Sequence, residues 1–156
     1  MLDELRELYQ EVILDHGKNP RNYRDLPDAN YHAHGNNPLC GDKIVVYLKL
    51  DDNQVIVDCS FEGRGCAISQ ASASMMTEIL IGKKMQDAQA LFESFHAMCT
   101  DENYDPAQYP NADEDALDRL QVMAGVREFP MRVKCATLAW HTMQAAVHGD
   151  NAASTE

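Results

Sequence analysis

The sequence predicts an α+β domain: a small antiparallel three-stranded sheet with helices packed on one face. Three observations carry that expectation. Lys43–Leu50 and Gln54–Phe61 are rich in Val, Ile and Tyr, flank the turn residues Asp51-Asp52-Asn53, and read as a β-hairpin. Leu2, Leu5, Tyr9, Val12 and Ile13 recur at helical spacing ahead of it. From Cys66 onward, apolar stripes of helical period alternate with Gly, Pro and acidic breaks.

The first helix is expected over residues 2–16, with Asp3 and Glu4 near its positive end and Gly17 and Pro20 closing it. Lys18–Asn30 is turn-rich and polar, and Tyr31-His32-Ala33-His34 reads as a short edge strand. After the hairpin, Cys66–Ile81 reads as a helix ending at Gly82. Its small first half (Ala67, Ser69, Ala71, Ser72, Ala73, Ser74) permits close approach to a sheet. Asp87 is placed as the N-cap of a helix with Ala88, Leu91, Phe92, Phe95 and Met98 on one face. Thr100–Asn111 is a loop. Asp115–Ala124 is a short helix capped by Gly125. Pro130 restarts the chain, and Ala136, Ala139, Trp140, Met143, Ala146 and Val147 form the stripe of a last helix. A single domain over 1–148 and a flexible, frayed tail over 149–156 complete the expectation.

A chain of 156 residues with 45% apolar content can bury a core without disulfide staples. The net charge of −12 and the scattered basic residues argue against nucleic acid as a partner. No apolar run approaches the ~18 residues of a membrane helix. The residues Met1–Arg6 lack a signal-peptide layout, so the expected compartment is the cytoplasm. Thiols stay reduced there, and five cysteines read as metal-binding or catalytic before they read as disulfides.

Three of those cysteines sit at breaks in the chain: Asn37-Pro38-Leu39-Cys40-Gly41-Asp42, Gly65-Cys66-Ala67-Ile68-Ser69 and Arg132-Val133-Lys134-Cys135-Ala136. Three thiolates and the carboxylate of Asp42 are the right donors for a tetrahedral zinc ion, or for one edge of an iron–sulfur cluster. Cys40 and Asp42, two apart on an extended chain, can face one ion. A carboxylate among thiolates makes one bond more exchangeable, unlike a closed structural zinc site. Cys66 and Cys135 are both placed at helix N-termini, where the dipole favours thiolate. Arg64, Arg132 and Lys134 are expected to lower thiol pKa values further.

Cys59, inside a strand, and Cys99, on an apolar stripe, read as core. His32 and His34 read as a solvated edge, His141 as surface or interface, and Met75-Met76 as packing. His16, His96 and His148 carry no partner signal, and the acids from Asp101 to Asp118 read as a solvated loop and helix start.

These segments resemble the iron–sulfur cluster assembly proteins of the IscU/NifU N-terminal type, and within them the SufU branch. The likeness runs from Tyr9–Asn22 to Phe129-Pro130-Met131-Arg132-Val133-Lys134-Cys135-Ala136-Thr137-Leu138-Ala139-Trp140. Lys134 stands where scaffold members usually carry His. Glu128–Lys134 also replaces their chaperone-recognition segment. The 68 residues between Cys66 and Cys135 fit a SufU-type insertion, with the excess around Thr100–Asp118. The resemblance implies metal ligands Cys40, Asp42, Cys66 and Cys135. It implies a zinc-dependent sulfur acceptor that takes persulfide sulfur from a SufS-like cysteine desulfurase and serves downstream cluster-assembly proteins. Such a protein is at most a sulfurtransferase acting with its partner, not a stand-alone turnover enzyme. By position Cys40 is the acceptor, with Arg132 and Lys134 steering the anionic persulfide or tuning the metal. The alternative is a scaffold that holds Fe2+ or a transient [2Fe-2S] cluster on the same four residues.

Overall fold

A computed structural model describes residues 2–150 and 152–154. It opens with helix α1 (Leu2–Lys18), followed by three consecutive antiparallel strands: β1 (Tyr31–Asn37), β2 (Asp42–Leu50) and β3 (Ile56–Arg64). Helices α2 (Ala67–Leu80), α3 (Met85–Thr100), α4 (Glu114–Leu120) and α5 (Pro130–Val147) follow, and a short strand β4 (Ala152–Ser154) closes the described chain. The sheet order is β3-β2-β1-β4, with β4 parallel to β1. No helix among the described residues is long and apolar enough to cross a membrane.

The α+β reading thus holds, with helices on one face of a three-stranded antiparallel unit. Alternation in β2 buries Asp42, Ile44, Val46, Leu48 and Leu50 toward the helices and leaves Lys43 exposed. The small residues of α2 do what their size permits. Ala71, Ser72, Ala73 and Ser74 are fully buried, and the Ser72 hydroxyl donates to the Ala136 carbonyl of α5. Trp140, on α5, is fully buried and packs on Phe95 of α3 at a ring separation of 4.9 Å.

Several boundaries differ from the sequence expectation. β1 runs to Asn37 and pairs along its length with β2, from Tyr31↔Leu48 to Asn37↔Asp42. Its inward positions, Ala33, Gly35 and Asn37, are too small or polar to announce a strand, but they let α5 come close. A Cβ on Gly35 would lie 2.0 Å from Thr142 Oγ1. α3 begins at Met85 with Lys84 at its N-cap, leaving Asp87 inside the first turn. The helix expected over Asp115–Ala124 is shorter: α4 starts at Glu114, capped by Asp113, which accepts from the N–H groups of Asp115 and Ala116, and after Leu120 the chain tightens into a 3₁₀ stretch, Gln121–Glu128. The expected loop after Thr100 holds a 3₁₀ turn at Pro106–Gln108 and is anchored by Tyr104–Ser94 and Lys83–Asp113 bonds. Where a frayed tail is expected, Gly149 (φ 82) turns the chain back, and Ala152–Ser154 pairs with His34–Asn36. Residues 151, 155 and 156 of that tail lie outside the described residues.

Candidate metal centre

The β1–β2 connection is a four-residue loop, Pro38–Gly41, closed by the Cys40 N–H donating to the Asn37 carbonyl at 3.3 Å. Gly41 takes φ 71, which non-glycine residues rarely adopt, and so returns the chain into β2. The loop holds Cys40 half-buried above the fully buried Asp42. Two further elements reach this end of the sheet. Cys66 is the N-cap of α2, its sulfur accepting the Ser69 N–H at 3.5 Å. Cys135 arrives from α5.

The placement of Cys135 corrects the sequence expectation. Because α5 starts at Pro130, Cys135 lies in its second turn and is fully buried, not at its N-terminus. Its thiol is pushed well above the ordinary range, first by its hydrogen bond with Cys66 and then by burial. Cys66 moves the opposite way, down to about 6. The Cys135 bond favours its thiolate first, with the Ser69 N–H adding to the effect and burial opposing it.

The ligand atoms of Cys40, Asp42 and Cys135 all lie within 4.8 Å of one another. The Cys40 and Cys135 sulfurs are 3.4 Å apart, near the ~3.8 Å that two tetrahedral zinc–sulfur bonds impose. Cys66 stands just outside that group. Its N–H donates to Asp42 Oδ1 at 2.9 Å, while its sulfur caps the helix. Gly65 makes this approach possible, since a Cβ there would lie 2.6 Å from Asp42 Oδ1.

Asp42 supplies the test of fit. Its carboxylate is fully buried, and its hydrogen bonds come from the Cys66 N–H and from Asn37 Nδ2 at 3.3 Å. The ion pairs among the described residues leave it out. A buried carboxylate beside two sulfurs, with no Lys, Arg or His among the described residues to balance it, suits a bound cation.

The other candidates separate cleanly. Cys59 and Cys99 are fully buried core thiols, pushed up by burial, Cys99 to about 12. Met75 and Met76 are packing residues. His32 and His34 are exposed on β1, their rings 6.2 Å apart. His16, which carries no partner signal in sequence, is buried with Nδ1 2.8 Å from Ser74 Oγ. His141 packs against both Phe92 and His96 at ring separations of 5.3 and 5.4 Å, the three rings forming one cluster. Arg132 is exposed and lines a groove of about 950 Å³ with Tyr9, Ile13, Ile68, Val122 and Phe129. Lys134 is half-buried; the hydrogen bonds to the four-residue group come from Asn37, Ser69 and backbone rather than from Lys134 or Arg132. Leu39, Phe129 and Met131 are large apolar side chains left exposed in the segments that bear Cys40 and Cys135.

Comparison with known proteins places this arrangement among relatives. The NifU-like N terminal domain family matches residues 8–136. The zinc-dependent sulfurtransferase SufU of Bacillus subtilis (strain 168) is 42% identical over 143 residues, covering 92% of this chain and 91% of that protein. The iron–sulfur cluster assembly scaffold protein IscU of Streptococcus pyogenes serotype M1 is 40% identical over 146 residues, covering 94% and 86%. Among solved structures, the N-terminal part of a nitrogen-fixing NifU-like protein from Brucella abortus superposes with a TM-score of 0.78 at 25% identity, covering 92% of this chain and 94% of that one.

Proposed function

The chain belongs to the NifU-like N terminal domain family, and from that premise we propose that it is an iron–sulfur cluster assembly protein acting as a zinc-dependent sulfur acceptor. The observation that carries this reading is the buried Asp42 carboxylate, gathered with the Cys40 and Cys135 sulfurs and matched by no cationic side chain among the described residues. Zinc would be held by Cys40, Asp42 and Cys135, with Cys66 as the fourth ligand once its sulfur leaves the Ser69 N–H. When bound, the ion supplies charge that keeps sulfur ligands deprotonated near neutral pH.

Cys40 is the acceptor in this reading. It is half-buried, while Cys135 is fully buried, and its short loop can shift without moving a helix. A cysteine desulfurase would present a persulfide, whose outer sulfur the Cys40 thiolate attacks. A new sulfur–sulfur bond forms at Cys40, the old one breaks, and the partner's cysteine leaves as thiolate, with no net oxidation. Arg132 and Lys134 would steer the anionic persulfide by charge from the rim. The exposed Leu39, Phe129 and Met131 support docking of the partner there. The reading places the protein in the cytoplasm, with downstream cluster-assembly proteins as the next acceptors.

A second reading, a scaffold for a transient [2Fe-2S] cluster, is favoured by the 40% identity to a protein named as a scaffold. Lys134, in place of the His usual in scaffold members, supports the first reading. The test is anaerobic incubation with a cysteine desulfurase and sulfur-labelled cysteine, followed by peptide mapping. Label on the Cys40 peptide, lost in Cys40→Ala with the fold retained, is expected. Undiminished transfer in Cys40→Ala would overturn the acceptor assignment.

A further inference from the structure

Asn37 is the residue of this centre that sulfur transfer leaves without a task. It is fully buried at the inward end of β1, directly opposite Asp42. Its Nδ2 lies 3.3 Å from Asp42 Oδ2 and 3.7 Å from Cys135 Sγ. A carboxylate only accepts hydrogen bonds, so the N–H₂ end of the amide must face it. That orientation leaves Asn37 Oδ1 buried without a hydrogen-bond partner. An unpaired buried acceptor is costly, and an apolar side chain would avoid it. What the amide gives in return is one donor group shared between two ligands that arrive from different elements, β2 and α5. The same residue's carbonyl accepts the Cys40 N–H, fixing the turn that carries the third ligand.

We infer that Asn37 is a positioning residue of the metal centre, holding Cys40, Asp42 and Cys135 at the spacing of a single ion. The inference rests on the metal-binding reading above. Both Asp42 oxygens are engaged from behind, Oδ1 by the Cys66 N–H and Oδ2 by Asn37, and each keeps a lone pair for the ion. The carboxylate is thereby oriented before an ion arrives. Groups that orient metal ligands in this way set affinity and geometry without touching the metal.

The experiment compares the full chain with Asn37→Ala and with Asn37→Leu, which keeps the branched side-chain shape but has no side-chain N–H. Zinc affinity is measured by competition with a chromophoric chelator, and ligand geometry from the absorption bands of the Co2+-loaded protein. Both variants are expected to bind zinc roughly 10–100-fold more weakly, with shifted Co2+ bands. Should the alanine variant lose its fold, the leucine variant carries the same comparison. Variants that melt at lower temperature but keep the parent's affinity and Co2+ bands would overturn the inference, since Asn37 would then be only structural. A parent chain that binds neither Zn2+ nor Co2+ would overturn the metal-binding reading itself, before any variant is compared.

Discussion

Replacing Gly65 by alanine perturbs the centre through a single methyl group. Gly65 does not adopt a positive φ, so the backbone itself tolerates alanine and the effect is one of contact. The added carbon would sit 2.6 Å from Asp42 Oδ1, 3.1 Å from its Cγ and 3.2 Å from its Cβ. Asp42 is fully buried and held at both oxygens, so it cannot swing aside freely. Restoring ordinary contact requires a displacement of roughly 0.5–1 Å. Overpacking of this kind costs about 1–3 kcal/mol. At about 2 kcal/mol, a chain of this size loses roughly 4–8 °C in Tm. The displaced carboxylate also leaves the ion's reach, so zinc affinity is expected to fall at least ~10-fold. Thermal melts with and without zinc, alongside chelator competition, read both effects. Gly125→Ala is the control: its Cβ position opens into space free of neighbouring side chains, and its stability is expected to change by less than about 0.5 kcal/mol. If Gly65→Ala melted and bound zinc like Gly125→Ala, the close packing of Gly65 on the Asp42 carboxylate would be refuted.

Two further expectations follow from the titrating groups. In metal-free, reduced protein, iodoacetamide is expected to modify Cys66 with a midpoint near pH 6, while the buried Cys59, Cys99 and Cys135 stay unmodified until unfolding. Peptide mass mapping across pH checks this, and modification of Cys135 before Cys66 would contradict it. His141 is held below its ordinary pKa by burial first and by His96 second, as His16 is by burial. The fold therefore favours neutral imidazole. As pH falls through the unfolded value of about 6.5, the unfolded state binds more protons and stability declines. His141→Phe, which keeps an aromatic ring against Phe92 and His96, is expected to flatten that decline in denaturant melts between about pH 7 and 5. Parallel losses in parent and variant would show that His141 does not contribute.

The grouping of Cys40, Asp42 and Cys135 is legible in the sequence because each lies in or just after a local break, the Gly41 turn or the Pro130 restart. The hairpin β2–β3 and the helices were legible from their periodicity. β1 was only half legible, since Gly35, Asn36 and Asn37 lack strand propensity, and its pairing is carried by close packing against Thr142 of α5. Nothing local in the sequence marks Asn37, for the same reason. Only the strand register turns it inward, and only the fold brings Cys135 to its amide from 98 positions away. The contrast between Cys66 and Cys135 was equally hidden. Both follow similar breaks, but Pro130 starts α5 a full turn ahead of Cys135 and buries it. Pro130, at the first position of α5, is the local signal of that boundary.

The most direct test of the sulfur-acceptor role is metal and acid-labile sulfide per chain, measured on protein purified without oxygen from iron-replete cells. About one zinc per chain and no sulfide is expected for a mononuclear site of these donors. Iron and sulfide in near-equal amounts, with a coloured absorption spectrum, would contradict it and make the chain a cluster scaffold.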